Sequence, residues 1–154
     1  MVQSQLCSNE FSHLLTTAVV PSMKSEGFGR IVNVVSTSVR IPLPNLGVSN
    51  TTRGAVASWA KTMANELAQF GITVNNVLPG ATRTQRLTNI INNNAEKNNK
   101  QVDEVEQEMI NEIPAKRFGE AAEVAAVAAF LATPAAAYVT GVSIPVDGGR
   151  VGSI

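Results

Sequence analysis

The chain has 154 residues, of which 44% are hydrophobic and 16% charged, the composition of one globular domain over 1–154 rather than a disordered tail. Twelve Lys+Arg balance twelve Asp+Glu, so there is no overall field to recruit nucleic acid or an anionic membrane, and neither is expected as a partner. One cysteine, Cys7, and one histidine, His13, exclude an internal disulfide and a Cys/His zinc site, and no metal is expected.

Residues 2–10 show neither a basic n-region nor an apolar h-region, and the longest apolar run, Val124–Ala132, is nine residues against the roughly 18 of a spanning helix, so a cytoplasmic location is expected. Phe11, Leu14, Leu15, Ala18, Val19 and Met23 are spaced three and four apart, which predicts an amphipathic helix over about Ser8–Ser25 with its stripe on the sheet face and a kink at Pro21. After the Gly27-Phe28-Gly29 turn, Ile31–Val35 is a nearly continuous β-branched run, the pattern of a strand covered on both faces. Residues 37–48, with Pro42, Pro44 and Gly47, predict a loop. Ser49 or Asn50 is then placed to cap an Ala-rich helix ending near Gly71, with Val56, Ala60, Met63 and Leu67 as its stripe.

Ile72–Leu78 predicts a second strand, stopped by Pro79-Gly80. From Arg83 to Ile113 the chain is polar and Asn-rich, a surface excursion with a weak helix around Leu87, Ile90 and Ile91 and a better one carrying Val102, Val105, Met109 and Ile113. A helix over Ala121–Ala132 and a strand over Val142–Val146 complete the pattern. Helices alternating with buried strands predict an α/β fold with right-handed crossovers: a parallel sheet of about three strands with flanking helices, part of a doubly wound, Rossmann-like sheet.

Four stretches, GRIVNVVS (29–36), NNVLPGATRT (75–84), IPAKRFGEAAEVAAVAAFLATPAAAYVTG (113–141) and VDGG (146–149), resemble the short-chain dehydrogenase/reductase family, and the third and fourth together are highly specific. The resemblance runs over nearly the whole chain and covers the C-terminal half of the family's fold, so the first half is expected to be missing. The family's T-G-x-x-x-G-x-G turn, where backbone N–H groups meet the dinucleotide pyrophosphate, does not occur in the sequence, nor does its N-N-A-G segment.

The resemblance implies an NAD(P)-dependent oxidoreductase, with NAD or NADP as cofactor and a small carbonyl or alcohol substrate, present as a partial chain that is inactive alone. The family's catalytic Ser falls on Ser36. Its Tyr, thirteen residues on, falls on Ser49, and its Lys, four beyond, on Arg53. An aliphatic hydroxyl is a much weaker acid than a phenol, and Arg cannot enter a proton relay although it can bind ribose hydroxyls or phosphate. The family's Asn maps near Ser8 and Asn9. Pro79, Gly80, Thr82 and Thr84 match the loop laid against the nicotinamide carboxamide and pyrophosphate, and residues 83–113 fall on the substrate side.

Structural readings stand beside these. Ser36 ends a strand, Ser49 suits an N-cap, Arg53 a solvated helix face, and Pro79-Gly80 a strand-ending turn. Tyr138 is expected to pack near the last strand, and His13 to pack or hydrogen-bond beside the first helix's stripe. The alternative function is a non-catalytic, oligomerising subunit or pseudoenzyme partner of full-length relatives. Homo-oligomers are expected too, since in the family the first helix and the Ala-rich one pack against their copies, and residues 54–68 with Trp59 and Met63 suit close approach.

Overall fold

A computed structural model describes the backbone of residues 2–152 and the side chains of residues 11–152. Cys7, Ser8 and Asn9, the last two in the region of the family's Asn, have side chains outside the described residues. Helix α1 spans Val2–Glu26, starting earlier than the periodicity predicted and containing Pro21. Gly27, at φ +64°, ends it, with the Gly27 and Phe28 N–H groups donating back to the carbonyls of Lys24 and Met23.

Strand β1 (Gly29–Val34) begins two residues before the expected run, because Gly29 already pairs with Ile72. Helix α2 spans Gly47–Leu67. Its cap is Leu46, without a side-chain bond, which corrects the capping assignment to Ser49 or Asn50. The Asn50 N–H closes the first helical bond onto the Leu46 carbonyl. The Asn50 side chain instead donates back to the Leu43 carbonyl at 2.9 Å, anchoring the loop and leaving Ser49 inside the first turn. A 3-10 turn then leads to Gly71, whose φ is +71°. A Cβ there would lie 2.3 Å from the Gly27 carbonyl oxygen, so the two turns flanking β1 and β2 touch through backbone alone.

Strand β2 (Ile72–Pro79) is the centre of a parallel sheet of order β1-β2-β3, with β3 at Ser143–Val146. Ile72 and Val74 pack on Ala60, Ala64 and Leu67 of α2, while Val77 faces Leu131 of α5, Ala121–Ala132, on the other side. Each such aliphatic side chain removed from water contributes about 1.5–3 kcal/mol. Two sequence expectations fail at the margins of this core. Val34, the last residue of the edge strand, is 63% exposed rather than covered on both faces, because it opens onto a groove instead of a packed helix. On α1, Phe11 and Leu14 are 62% and 65% exposed, with Leu15 and Val19 also exposed; only Val20 and Met23, in its last turns, meet the α2 core.

The polar stretch after β2 is better ordered than its composition suggests. Helices α3 (Gln85–Asn98) and α4 (Val102–Asn111) bury their own cluster, with Leu87, Ile91, Ala95 and Val105 against Ile113 and Phe118. The helix around Leu87 therefore runs fourteen residues, and a parallel bridge between Thr82 and Gly119 pinches the base of the excursion. Among the described residues no helix is long and apolar enough to cross a membrane.

Candidate functional site

In open parallel sheets ligands bind beyond the carboxyl ends of the strands, and the site residues predicted from sequence collect at that edge. Ser36 lies just past β1, Pro79 is the last residue of β2, and Gly80 donates its N–H to the carbonyl of Val146, the last residue of β3, at 3.0 Å.

Ser49 and Arg53 stand one turn apart on α2, and Arg53 Nε donates to Ser49 Oγ at 3.2 Å. Arg53 Nη1 also donates to the carbonyl oxygen of Val35, the residue before Ser36. Arg53 is thus half-buried and tied to β1, rather than solvated. Burial, and then the nearby Arg86 guanidinium, pull its pKa below the ordinary arginine value. Both side chains line an open groove of about 460 Å³ between α1 and α2, with Val32, Asn33, Val35 and Phe11 among its walls. Ser36 Oγ is turned to its own turn, accepting from the Ser38 N–H at 3.1 Å. It caps a 3-10 turn, so the structure joins Ser36 to the pair through the Val35 backbone and not through its hydroxyl.

The loop after β2 is closed on itself. Thr82 Oγ1 donates to the Gly80 carbonyl at 3.2 Å, and Thr84 Oγ1 caps α3 by accepting from the Leu87 N–H at 3.3 Å while donating to the Thr82 carbonyl. A Cβ on Gly80 would fall 2.7 Å from Asp147 Cβ and 2.8 Å from its Cα, so close packing of β2 on β3 requires this glycine. Asp147 in turn accepts from the Gly149 and Val151 N–H groups, which explains the VDGG stretch as a closed turn.

Two sequence expectations end here. Tyr138 is fully exposed instead of packed near β3, since the chain around it is a surface turn following Pro134–Ala136. His13 is exposed on α1, because the stripe beside it is itself uncovered. Three groups escaped the sequence reading. Asn33 Nδ2 donates to Asn76 Oδ1 at 3.1 Å, and Asn76 Nδ2 to Ser143 Oγ at 3.0 Å, a polar ladder across all three strands in register. The buried Asn75 bonds the Val139 carbonyl and the Val142 N–H. Asparagines interrupting apolar strands were the available signal. Arg86, the third, sits in the exposed first turn of α3 and carried none.

The sequence family described as enoyl-(acyl carrier protein) reductase matches residues 8–150. The chain is 38% identical over 132 residues to the NADPH-dependent reductase BacG of Bacillus subtilis, covering 86% of this chain and 51% of that protein. To a 3-oxoacyl-[acyl-carrier-protein] reductase of Synechocystis it is 38% identical over 139 residues, 90% of this chain and 51% of the relative. Among solved structures, YwfH, described as an NADPH-dependent reductase involved in bacilysin biosynthesis, superposes with a TM-score of 0.87 at 35% identity, over 93% of this chain and 55% of that one. An NAD+-bound xylitol dehydrogenase gives 0.79 at 30%, over 86% and 53%. The chain spans about half the length of the curated relatives it matches.

Proposed function

The chain belongs to the short-chain dehydrogenase/reductase family, and from that premise we propose that it supplies the substrate-side half of an NAD(P)-dependent oxidoreductase acting on a small carbonyl or alcohol. The supporting observation is the Ser49–Arg53–Val35 connection, which holds a hydroxyl and a guanidinium in a groove at the carboxyl edge of the sheet.

The residues present fit one end of a dinucleotide. Arg53 has N–H groups left over after its two bonds, in the position and with the chemistry to hold ribose hydroxyls, and the 79–84 loop would lie against the nicotinamide. No segment of the 154 residues carries the Gly-rich turn suited to the pyrophosphate. A nicotinamide bound there supplies or takes the hydride. The chain's own part is to fix the substrate oxygen with Ser36 or Ser49. Ser49 Oγ accepts from Arg53 and so keeps its own proton to donate into the groove.

On this reading the chain alone transfers no hydride and binds neither NAD nor NADP usefully. Calorimetry is expected to show no Kd tighter than about 10 μM, or about −7 kcal/mol. The deciding experiment co-expresses the chain with the first half of a relative, carrying T-G-x-x-x-G-x-G, and follows NADPH oxidation with a panel of ketones. Activity confined to the mixture supports the reading; activity of the chain alone overturns its partial-site element. A well-formed but inert mixture favours the second reading, a non-catalytic oligomerising partner of full-length relatives, for which the observation is the uncovered apolar stripe of α1.

A further inference from the structure

Pro79 ends the central strand of the sheet, an unusual place for a proline: β2 has a neighbour on each side, so a residue without an N–H leaves one rung of a ladder unmade. The pairing identifies the rung. Val35 donates its N–H to the Val77 carbonyl at 2.9 Å, one step past the β1·β2 register of Val34 with Val77. In a parallel pair the N–H and C=O of one residue reach the same neighbouring strand two residues apart, so the Val35 carbonyl is aimed at the nitrogen of residue 79. The other side of β2 is served by Asn76 and Gly80, whose N–H groups donate to the carbonyls of Val142 and Val146. The bond that Pro79 withholds therefore belongs to Val35.

Val35 is buried, and a buried carbonyl left without a donor destabilises the fold. Among the described residues the donor it finds is Arg53 Nη1, while Nε of the same guanidinium donates to Ser49 Oγ at 3.2 Å. A backbone N–H at 79 would compete for that carbonyl from within the sheet, and Arg53 would lose the anchor that fixes its fork. We infer that Pro79 is a positioning residue: having no N–H, it leaves the Val35 carbonyl to Arg53 and so sets both the guanidinium and the Ser49 hydroxyl bonded to it. The sheet holds its own contrast in Pro145, which pairs in register with Leu78. The next residue, Val146, turns its carbonyl to β2 to accept from Gly80, so the Pro145 nitrogen points to the open side of edge strand β3, where a proline removes no ladder bond. That Pro79 holds Arg53 in place stands on this geometry alone; its bearing on proton donation rests on the oxidoreductase reading.

The test follows hydrogen exchange by NMR in the full chain, without nucleotide. In Pro79→Ala the amide introduced at position 79 should be protected by the Val35 carbonyl, and the Arg53 Nε–H should exchange with water about tenfold faster than in the unaltered chain, the scale of one ordinary hydrogen bond. Pro145→Ala, which adds an N–H to the open side of β3, should leave the Arg53 signal unchanged. Pro79→Val, a stronger strand former, repeats the measurement should the alanine variant not fold. In the enzyme complemented by the first half of a relative, Pro79→Ala should lower kcat by about tenfold, more than it raises KM for the ketone. It should add nothing to the loss caused by Arg53→Ala, because both substitutions break the same bond. An unprotected amide at 79, an Arg53 signal that ignores the substitution, or the same Arg53 response in Pro145→Ala overturns the inference. An active complemented enzyme whose kcat Pro79→Ala leaves untouched overturns it too. A mixture inert even with Pro79 in place counts against the oxidoreductase reading alone, and the exchange data still decide whether Pro79 governs Arg53.

Discussion

Arg53 Nε lies 3.2 Å from Ser49 Oγ while Nη1 of the same guanidinium reaches the carbonyl of Val35, so one side chain joins the first turns of α2 to the end of β1. The donor is the cation and the hydroxyl accepts, which fixes the direction of any proton Ser49 gives away: out of the helix and into the groove.

This arrangement predicts the result of restoring the family's pair. Ser49→Tyr with Arg53→Lys, in the chain complemented by the first half of a relative, should raise carbonyl reduction by about 100- to 10,000-fold, the range a positioned acid contributes. Arg53→Lys alone should not, because an ammonium lacks the fork that bonds Ser49 and Val35 together. A complemented enzyme that is already fast with Ser49, and no faster after restoration, would show that another group carries the proton.

A second prediction concerns acid. Glu123 receives two bonds from Arg117, at 2.8 and 2.6 Å, and one from the Glu120 N–H at 2.8 Å, closing a capping box at the start of α5. The Arg117 bond first, and the Glu120 N–H second, hold its carboxyl well below the usual range, at about 2. The folded-state pKa is depressed, so the carboxylate stabilises the fold above the unfolded value of 4.5 and this contribution is lost as pH falls toward about 2. Glu123→Gln should therefore lower Tm at neutral pH and flatten the fall in Tm through that window, with the two proteins converging at its acid end. Because the pair is solvent-exposed the shift should be modest. Parallel Tm-against-pH curves for the two proteins would refute the assignment.

How far the sequence carried varies with the physics of each element. Strand β2 was legible because Ile72 to Leu78 combines β-branched residues with continuous burial, and the α/β alternation followed from it. The start of α2 was not legible: serine and asparagine are good caps, but the helix begins at Gly47 because the Asn50 amide is drawn back to Leu43, a bond across the loop that no local pattern encodes. The helix around Leu87 reads as weak because α3 is polar outside; its apolar residues Leu87, Ile91 and Ala95 find their cover in a cluster with Val105 of α4 and with Ile113 and Phe118 beyond both helices. At the site, the spacing of Ser49 and Arg53 showed a shared helix face. The Val35 carbonyl that completes the arrangement is a backbone atom eighteen residues away, and backbone acceptors leave no mark on composition.

The polar ladder gives a third prediction. Asn76 is 3% exposed and bonds Asn33 and Ser143 on opposite neighbours, so Asn76→Ala removes an acceptor and a donor from the middle of the sheet and leaves a cavity. Unsatisfied polar groups there cost about 1–3 kcal/mol. Urea unfolding should show an unfolding free energy reduced by that amount, seen as a lower midpoint with the slope unchanged. A loss under about 0.5 kcal/mol, the range of ordinary surface substitutions, would mean that the ladder is not an energetic element of the sheet.

The last prediction is that the chain self-associates. The apolar stripe of α1 was expected to serve the sheet, yet Phe11, Leu14, Leu15 and Val19 are exposed in a helix only whose final turns reach the α2 core. They run along one helix at spacings of three and four and so form a contiguous strip, larger than the scattered apolar residues of an ordinary surface. The edge strand β1 adds Val34, also open, and unpaired backbone groups along its free side. Covering such surface by a second copy stabilises the folded form, and does so with the logarithm of concentration, so Tm should rise with protein concentration. The pair Leu14→Glu and Leu15→Glu should remove that dependence while leaving the α2 core, which neither residue touches, intact. Sedimentation equilibrium at micromolar concentration reads the outcome directly: a single 16.2 kDa species whose melting ignores concentration would show that the strip of α1 is tolerated bare in water, and the argument for self-association would fall with it.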